Sequence, residues 1–330
     1  MRGFLLVLIW ALSPGITLAH EDHHLTVYTY GSFASEWGPG PRIQAAFEAT
    51  CECELELVAV GGTDDILKRL ASEGEDSPAD VVVGINADRA AIAEAAQIFA
   101  PHRLLQGRYD MPLGWHHALF VPIDWGYVSF IYDKPRTPSP PSSFRDLAAS
   151  EATILIQDPR SSAAGLALLL WVKAAYGDES EEIWRDLADN IVEVTEGWSA
   201  SYGQFLEGGA DMVLSYTTSP AYHVLVEGDR SKAAAQFDEG HYMQIELAGV
   251  LTTSNSTDLA HDFVEFLMSD QVQALLPESN WMYPARMPEG GIPEEFGNLI
   301  SPSRALFLNP STAESLREEA LREWLAAINP

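Results

Sequence analysis

The amino-acid sequence predicts an α/β protein built as two lobes. Apolar runs of strand length alternate with stretches of helical periodicity, the pattern of strands and helices packed in layers. The alternation breaks at a surface loop carrying four prolines, residues 135–143, and then restarts. Before that loop, the stretch from 120 to 132 within FVPIDWGYVSFIYD is extended and long enough to cross from one sheet into another.

The first nineteen residues are expected to belong to neither lobe. Arg2 supplies a positive start, 4–12 an apolar run too short to span a bilayer, Pro14 and Gly15 a break, and Thr17-Leu18-Ala19 a cleavage pattern. Together they read as a secretory signal peptide, with the mature chain starting at His20. A lipid-anchored protein would need a cysteine at that point, whereas the first cysteine is Cys51. No later stretch reads as a membrane helix, so no membrane insertion of the mature chain is expected.

Strands are expected at 25–30, 55–60 and 79–85, the last with an unbroken Val81-Val82-Val83 that suits burial on both faces. Between them lie a Gly- and Pro-rich turn, a helix through 43–49, the turn Gly61-Gly62-Thr63, and a helix with Ile66, Leu67 and Leu70 on one side. In the second half, 153–157 is a strand and Asp158-Pro159-Arg160-Ser161-Ser162 leads into an apolar helix at 166–175. A strand at 212–216 ends in Thr217-Thr218-Ser219 before Pro220. Hydroxyls followed by proline suit a helix start, since the side chains accept from unpaired N–H groups and proline has none. The chain returns through 244–251, then a helix bearing Leu259, Phe263, Phe266 and Leu267, and closes with an amphipathic helix at 313–328. Asn255-Ser256-Thr257 matches a glycosylation sequon but reads better as a helix cap. Lobe 1 is expected to hold 25–123 and about 240–290, lobe 2 124–239, with a C-terminal helical segment at 291–330.

The formal net charge is −29, from 19 basic and 48 acidic residues. Phosphate contacts need clustered Lys and Arg, so nucleic acid is excluded as a partner. A field of this sign gathers cations and repels anions, although acidity also serves solubility alone. Cys51-Glu52-Cys53 has neither the spacing of a zinc site nor the Cys-x-x-Cys of a redox pair, and in an exported protein reads as structural. The HEDHH run at 20–24 could bind a transition metal weakly but reads as a solvated tail.

Ligands of open α/β sheets bind beyond the carboxyl ends of the strands, where loops and helix N-termini gather. Tyr30, the 61–63 turn, Ser161, Ser162 and 216–219 fall there. The segment GWSASYGQFLEGGADMVLSYTTSPAYHV at 197–224 adds a tryptophan and three tyrosines, with no lysine or arginine.

These residues also carry a resemblance. LTVYTYGSFASEWGPGP at 25–41, QDPRSSAAGLALLLW at 157–171, GWSASYGQFL with DMVLSYTTSPAYH, and NWMYP at 280–284 resemble the thiamine-binding periplasmic proteins of ABC transporters, in order along the chain. The resemblance implies a type II periplasmic-binding-protein fold, each lobe a mixed, mostly parallel sheet flanked by helices. It implies a periplasmic monomer that closes on thiamine, thiamine phosphate or thiamine diphosphate. Delivery would be to a thiamine ABC permease with its cytoplasmic ATPase, without catalysis, cofactor or metal. Carried onto this chain, it places Gly62, Thr63, Ser162, Ala163, Trp198, Tyr216, Thr217, Thr218 and Ser219 at the site. Tyr30, Trp37, Tyr222 and Trp281 are further walls.

Aromatic faces suit a flat pyrimidine and a cationic thiazolium, each cation–π contact being worth roughly 0.5 to 2 kcal/mol. Ser161 and Ser162, at a helix N-terminus, could face a phosphate arm in a basin without Lys or Arg. Gly31 and Gly61-Gly62 stand where the family pattern has acidic residues. Asp64, Asp65 or Asp124, or the aromatic walls alone, would then meet the cation. A ferric-ion binder of the same fold would present adjacent tyrosines, which the chain lacks, and a polyamine binder several acidic residues in the cleft. Thiaminase I shares the fold and uses a cysteine, but Cys51 and Cys53 precede the second strand, at its amino end. His116, His117 and His223 have no serine or cysteine at catalytic spacing.

Overall fold

The computed structural model describes residues 23–104 and 109–328, so the signal-peptide expectation lies outside the described residues. Lobe 1 opens with β1 (His24–Thr29), α1 (Gly40–Cys51), β2 (Glu54–Ala59), α2 (Thr63–Glu73) and β3 (Val81–Asn86). β1 pairs in parallel with both β2 and β3. Every residue of β3 is buried, with Val81 and Val83 in one core and Val82 and Ile85 in the other. The valine run therefore does what its composition suggests, serving a sheet covered on both faces.

The next strand, β4 (Val121–Asp133), is 13 residues long, about 40 Å at the usual rise. Lobe 2 follows with β5 (Ile154–Gln157), α3 (Ala163–Tyr176), α4 (Ser180–Leu187), β6 (Ile191–Thr195), α5 (Trp198–Leu206) and β7 (Met212–Tyr216). β8 (His241–Leu251) brings the chain back, and α6 (Thr257–Leu267), α7 (Asp270–Ser279) and α8 (Pro310–Ile328) complete it. The main strands run in the order β2-β1-β3-β8-β4-β7-β5-β6.

β4 and β8 are the strands that join the lobes. β4 pairs with β8 as far as Tyr127 and with β7 from Val128 onward, so it changes partner between those two residues, beyond the expected boundary at 123/124. Among the main strands, pairing around the crossing strands is antiparallel, while β1 with its neighbours and β5 with β6 and β7 are parallel; the short strand Ala305–Leu306 adds a parallel pair to the start of β8. His241 fixes the second crossing: its Nε2 accepts from the Phe237 N–H at 3.0 Å, and its Nδ1 lies 2.8 Å from the Val128 carbonyl.

The sequence reading missed β6, α4, α5 and α7. β6 is an edge strand whose Val192 and Glu193 face solvent, so it offers no apolar run. The C-terminal segment is also more than an appendage. Ala313, Ala320 and Trp324 of α8 enter the same core as Trp171 and Trp184, and Glu319 and Glu323 accept hydrogen bonds from Lys173, which is only 5% exposed. A buried ammonium needs such partners, because leaving water uncompensated is costly. The disulfide between Cys51 and Cys53 sits where α1 turns toward β2.

Replacing Trp324, 1% exposed, by Ala should destabilise the protein by about 3 to 5 kcal/mol, read as a lower urea midpoint. An unchanged midpoint would show that α8 is not part of the lobe 2 core.

Candidate functional site

β1 ends at Thr29, so Tyr30 emerges at the carboxyl end of the lobe 1 sheet. Its ring lies against Gly84, whose φ is +99° and where a Cβ would stand 2.4 Å from the tyrosine ring. Glycine in the middle of the valine strand is thereby explained: it makes room for Tyr30. The Tyr30 hydroxyl donates to Glu246 Oε2 at 2.6 Å. Glu246 is directly opposite Asp124 across the β4–β8 ladder, and Asn280 Nδ2 donates to Asp124 Oδ2 at 2.7 Å.

From lobe 2, Tyr216 at the end of β7 reaches the same floor and donates to Gln244 Oε1 at 2.9 Å. Burial, reinforced by the Glu246 charge, pushes the Tyr30 and Tyr216 hydroxyls well above their ordinary range, so both are neutral donors. Burial likewise raises Glu246 to about 7 and holds Asp124 well above the usual carboxylate range, with Glu246 adding to the Asp124 shift. Around this floor, Thr29 Oγ1, Thr217 Oγ1, Thr218 Oγ1 and Asp124 Oδ1 are buried and unpaired among the described residues. Orphaned polar atoms are costly in a folded protein, and these, three at strand ends and one on a crossing strand, mark a place that a polar ligand could complete.

The two lobes touch beyond the floor. The N-termini of α2 and α3 face each other so closely that a Cβ on Gly62 would lie 3.0 Å from the Ser161 carbonyl oxygen. Gly62, Thr63, Ser162 and Ala163 line a cavity of about 20 Å³ there. A second contact joins Tyr222 edge-on to Trp281, ring centroids 5.2 Å apart. Trp281 has φ of +56°, a left-handed backbone that costs of order 1 to 3 kcal/mol in a non-glycine residue and that gathers at functional sites. Asp64 with Arg317 of α8, at 2.7 Å, is a third.

The family model of bacterial extracellular solute-binding proteins matches residues 25–279. The chain belongs to that family. This solute-binding protein is 43% identical to the thiamine-binding periplasmic protein of Salmonella typhimurium, over 100% of the chain and 99% of the relative. It is 36% identical to the protein of that name in Haemophilus influenzae, over 96% and 94%. A solved periplasmic thiamin binding protein superposes with a TM-score of 0.90 at 43% identity, covering 93% of this chain and 96% of that one. An apo ferric ion-binding protein A of Pasteurella haemolytica, 17% identical with a TM-score of 0.75 over 93% and 98%, shares the fold. The fold is thus the two-lobed type II arrangement of such binding proteins.

In this solute-binding protein, Tyr30 and Tyr216 meet at the floor, Gly62, Thr63, Ser162 and Ala163 at the lobe contact, and Tyr222 and Trp281 at another. Trp198 stacks one face on Tyr202 at 4.8 Å, and its Nε1 donates to Ser215 Oγ at 2.7 Å. Trp37 stands at the surface, 55% exposed. Several expectations need correction. The Ser219 hydroxyl does not cap a helix but pairs with Ser215 at 2.7 Å. The Ser161 hydroxyl donates to the Glu196 carbonyl, so its proton is committed, whereas the Ser162 hydroxyl accepts from Gly165 N–H and keeps its own proton for donation beside the backbone N–H groups of the helix start. The basin is not free of cations either, since Arg89 and Arg160 line the lobe contact. Both are already matched, Arg89 by Asp64 and Glu314 and Arg160 by Asp158.

The same pairing sorts the candidate carboxylates. Asp64 is spent on Arg89 and Arg317, and Asp65 is 43% exposed beside Lys68. Asp124 alone is held without a cationic side chain, and its partner Glu246 was missed, as were Asn280 and Gln244. An acidic residue inside the apolar run MQIELAGVL was the available signal. His223, which seemed isolated, has Nε2 2.9 Å from the Tyr202 hydroxyl and Nδ1 2.7 Å from Glu227. A larger hollow of about 560 Å³, between α1 and α6, includes Phe47, Cys51 and Phe266 and lies away from the carboxyl ends of the strands.

Gly84→Ala should cost about 1 to 3 kcal/mol, through its positive φ and the collision with Tyr30. A thermal scan showing no loss would mean that the ring does not depend on that gap.

Proposed function

We propose that the protein captures thiamine, and its mono- and diphosphate, in the cleft between its lobes. One observation carries the proposal: aromatic side chains from both lobes converge on two buried carboxyl groups that no lysine or arginine among the described residues neutralises. A flat organic cation fits such a floor, stacking on rings while its charge faces acid. The names of the 43%-identical relatives support the same ligand. A phosphate arm would extend toward the N-termini of α2 and α3, where N–H groups and helix dipoles favour negative charge.

On this reading the bound, closed form is handed to an ABC permease driven by a cytoplasmic ATPase, and the protein acts in the periplasm as a monomer. Ligand that touches both lobes favours closure, because only there are all its contacts made. Transport without chemistry is supported by the cysteines, both of which are held in the disulfide, leaving no thiol nucleophile.

Calorimetry on refolded, ligand-stripped protein should give one thiamine per chain, recovered intact, and X-ray scattering should show a smaller radius on binding. Trp198→Ala and Tyr216→Ala should each weaken binding by about 1 to 3 kcal/mol through lost ring contact. Variants that bind like wild type but melt earlier would assign these rings to the core. Cleavage of the ligand would overturn the proposal.

A further inference from the structure

Asp124 and Glu246 are direct cross-strand partners, so their side chains leave the same face of the sheet with Cβ atoms about 5 Å apart. Asp124 is fully buried and Glu246 is 7% exposed. Their hydrogen bonds come from uncharged groups, Tyr30 at 2.6 Å to Glu246 and Asn280 at 2.7 Å to Asp124, and Asp124 Oδ1 has no partner among the described residues. The titratable groups facing the pair are Tyr30, from the end of β1, and Tyr216, from the end of β7, both neutral. Farther out, Asp88 lies beside Arg89, which is itself matched by Asp64 and Glu314.

Two neighbouring carboxylates out of water and without a cation repel each other and cannot both stay charged near neutral pH. A proton on one of them relieves the repulsion, and a positively charged ring could do the same. Building on the thiamine reading, we propose that Asp124 and Glu246 determine the specificity of the cleft for cations. In the empty state the pair holds one proton, and a docking cation displaces it to solvent. Charge balances: one positive charge enters the site, one proton leaves, and both carboxylates then face the ligand. A neutral ligand of the same shape would leave the proton in place and forgo the attraction. The upward shifts of both groups agree with this geometry.

The pair acts at the ligand, so the test reads protons as well as affinity. Thiamine is titrated into wild-type protein by calorimetry at pH 7 in phosphate and in Tris, whose ionisation heats differ, and then from pH 6 to 8.5. Release of up to one proton is expected. Affinity should rise by up to tenfold per pH unit below about 7, where the empty pair is protonated, and level off above it. A thiophene analogue of thiamine, isosteric but uncharged, should bind at least tenfold more weakly and release no proton. Glu246→Gln, checked by its melting curve, should lose both the proton release and the pH slope. Wild type that binds thiamine with equal heats in both buffers, a flat pH profile and no preference over the thiophene analogue would overturn the inference and leave the thiamine reading standing. Wild type that binds no thiamine would remove both.

Discussion

The pairing of Asp124 with Glu246 across β4 and β8 puts two acids where the lobes converge, on the two strands that connect them. Much of the surrounding architecture follows from that placement. Tyr30 and Asn280 supply neutral donors, Tyr216 comes from the other lobe to Gln244, and the available cations are engaged by other acids. A lysine at the floor would satisfy the acids permanently and leave a cationic ligand nothing to gain. On the proposed reading, the absence of such a residue from the described floor leaves both acids open to a cationic ligand.

Strain and close approach also occur around this place, although not only here, since Glu52 and Gln97 hold left-handed backbone elsewhere. Gly84 yields its volume to the Tyr30 ring, Trp281 holds a left-handed backbone, and the hydroxyls of Thr217 and Thr218 are buried unpaired. Each arrangement is unfavourable taken alone, and each borders a contact between sheet ends or lobes. On the proposed reading a ligand would offset these costs; the core of Trp171, Trp184 and Trp324 carries smaller ones of its own, since the Trp184 Nε1 is buried without a partner among the described residues.

Periodicity made the main elements legible. The triple valine of β3, the apolar α3 and the long β4 each announce their place because burial on both faces, or length, leaves a local mark on composition. β6 escaped notice because this edge strand exposes Val192 and Glu193 in succession and leaves no apolar run. At the candidate site, the aromatic residues at strand ends were legible one by one, but their partners were not. Glu246 meets Tyr30 across 216 residues of chain, and Arg317 takes Asp64 out of contention from 253 residues away. Such long-range pairings leave no local pattern, so sequence could nominate three aspartates but not choose among them.

α8 has a bearing on when the molecule can take shape. Trp324 and the acids that match Lys173 come from the last stretch of the chain, while lobe 1 waits for β8, α6 and α7 to return from the far side of lobe 2. Neither of these two cores is complete without the late residues, although the smaller cluster of Ile131, Leu155, Tyr202, Phe205 and Val213 is, and the buried Lys173 has no acid from α8 until that helix arrives. The two larger clusters are therefore completed only when synthesis is nearly finished. A polypeptide that must thread a membrane channel before it folds gains time from that order of assembly.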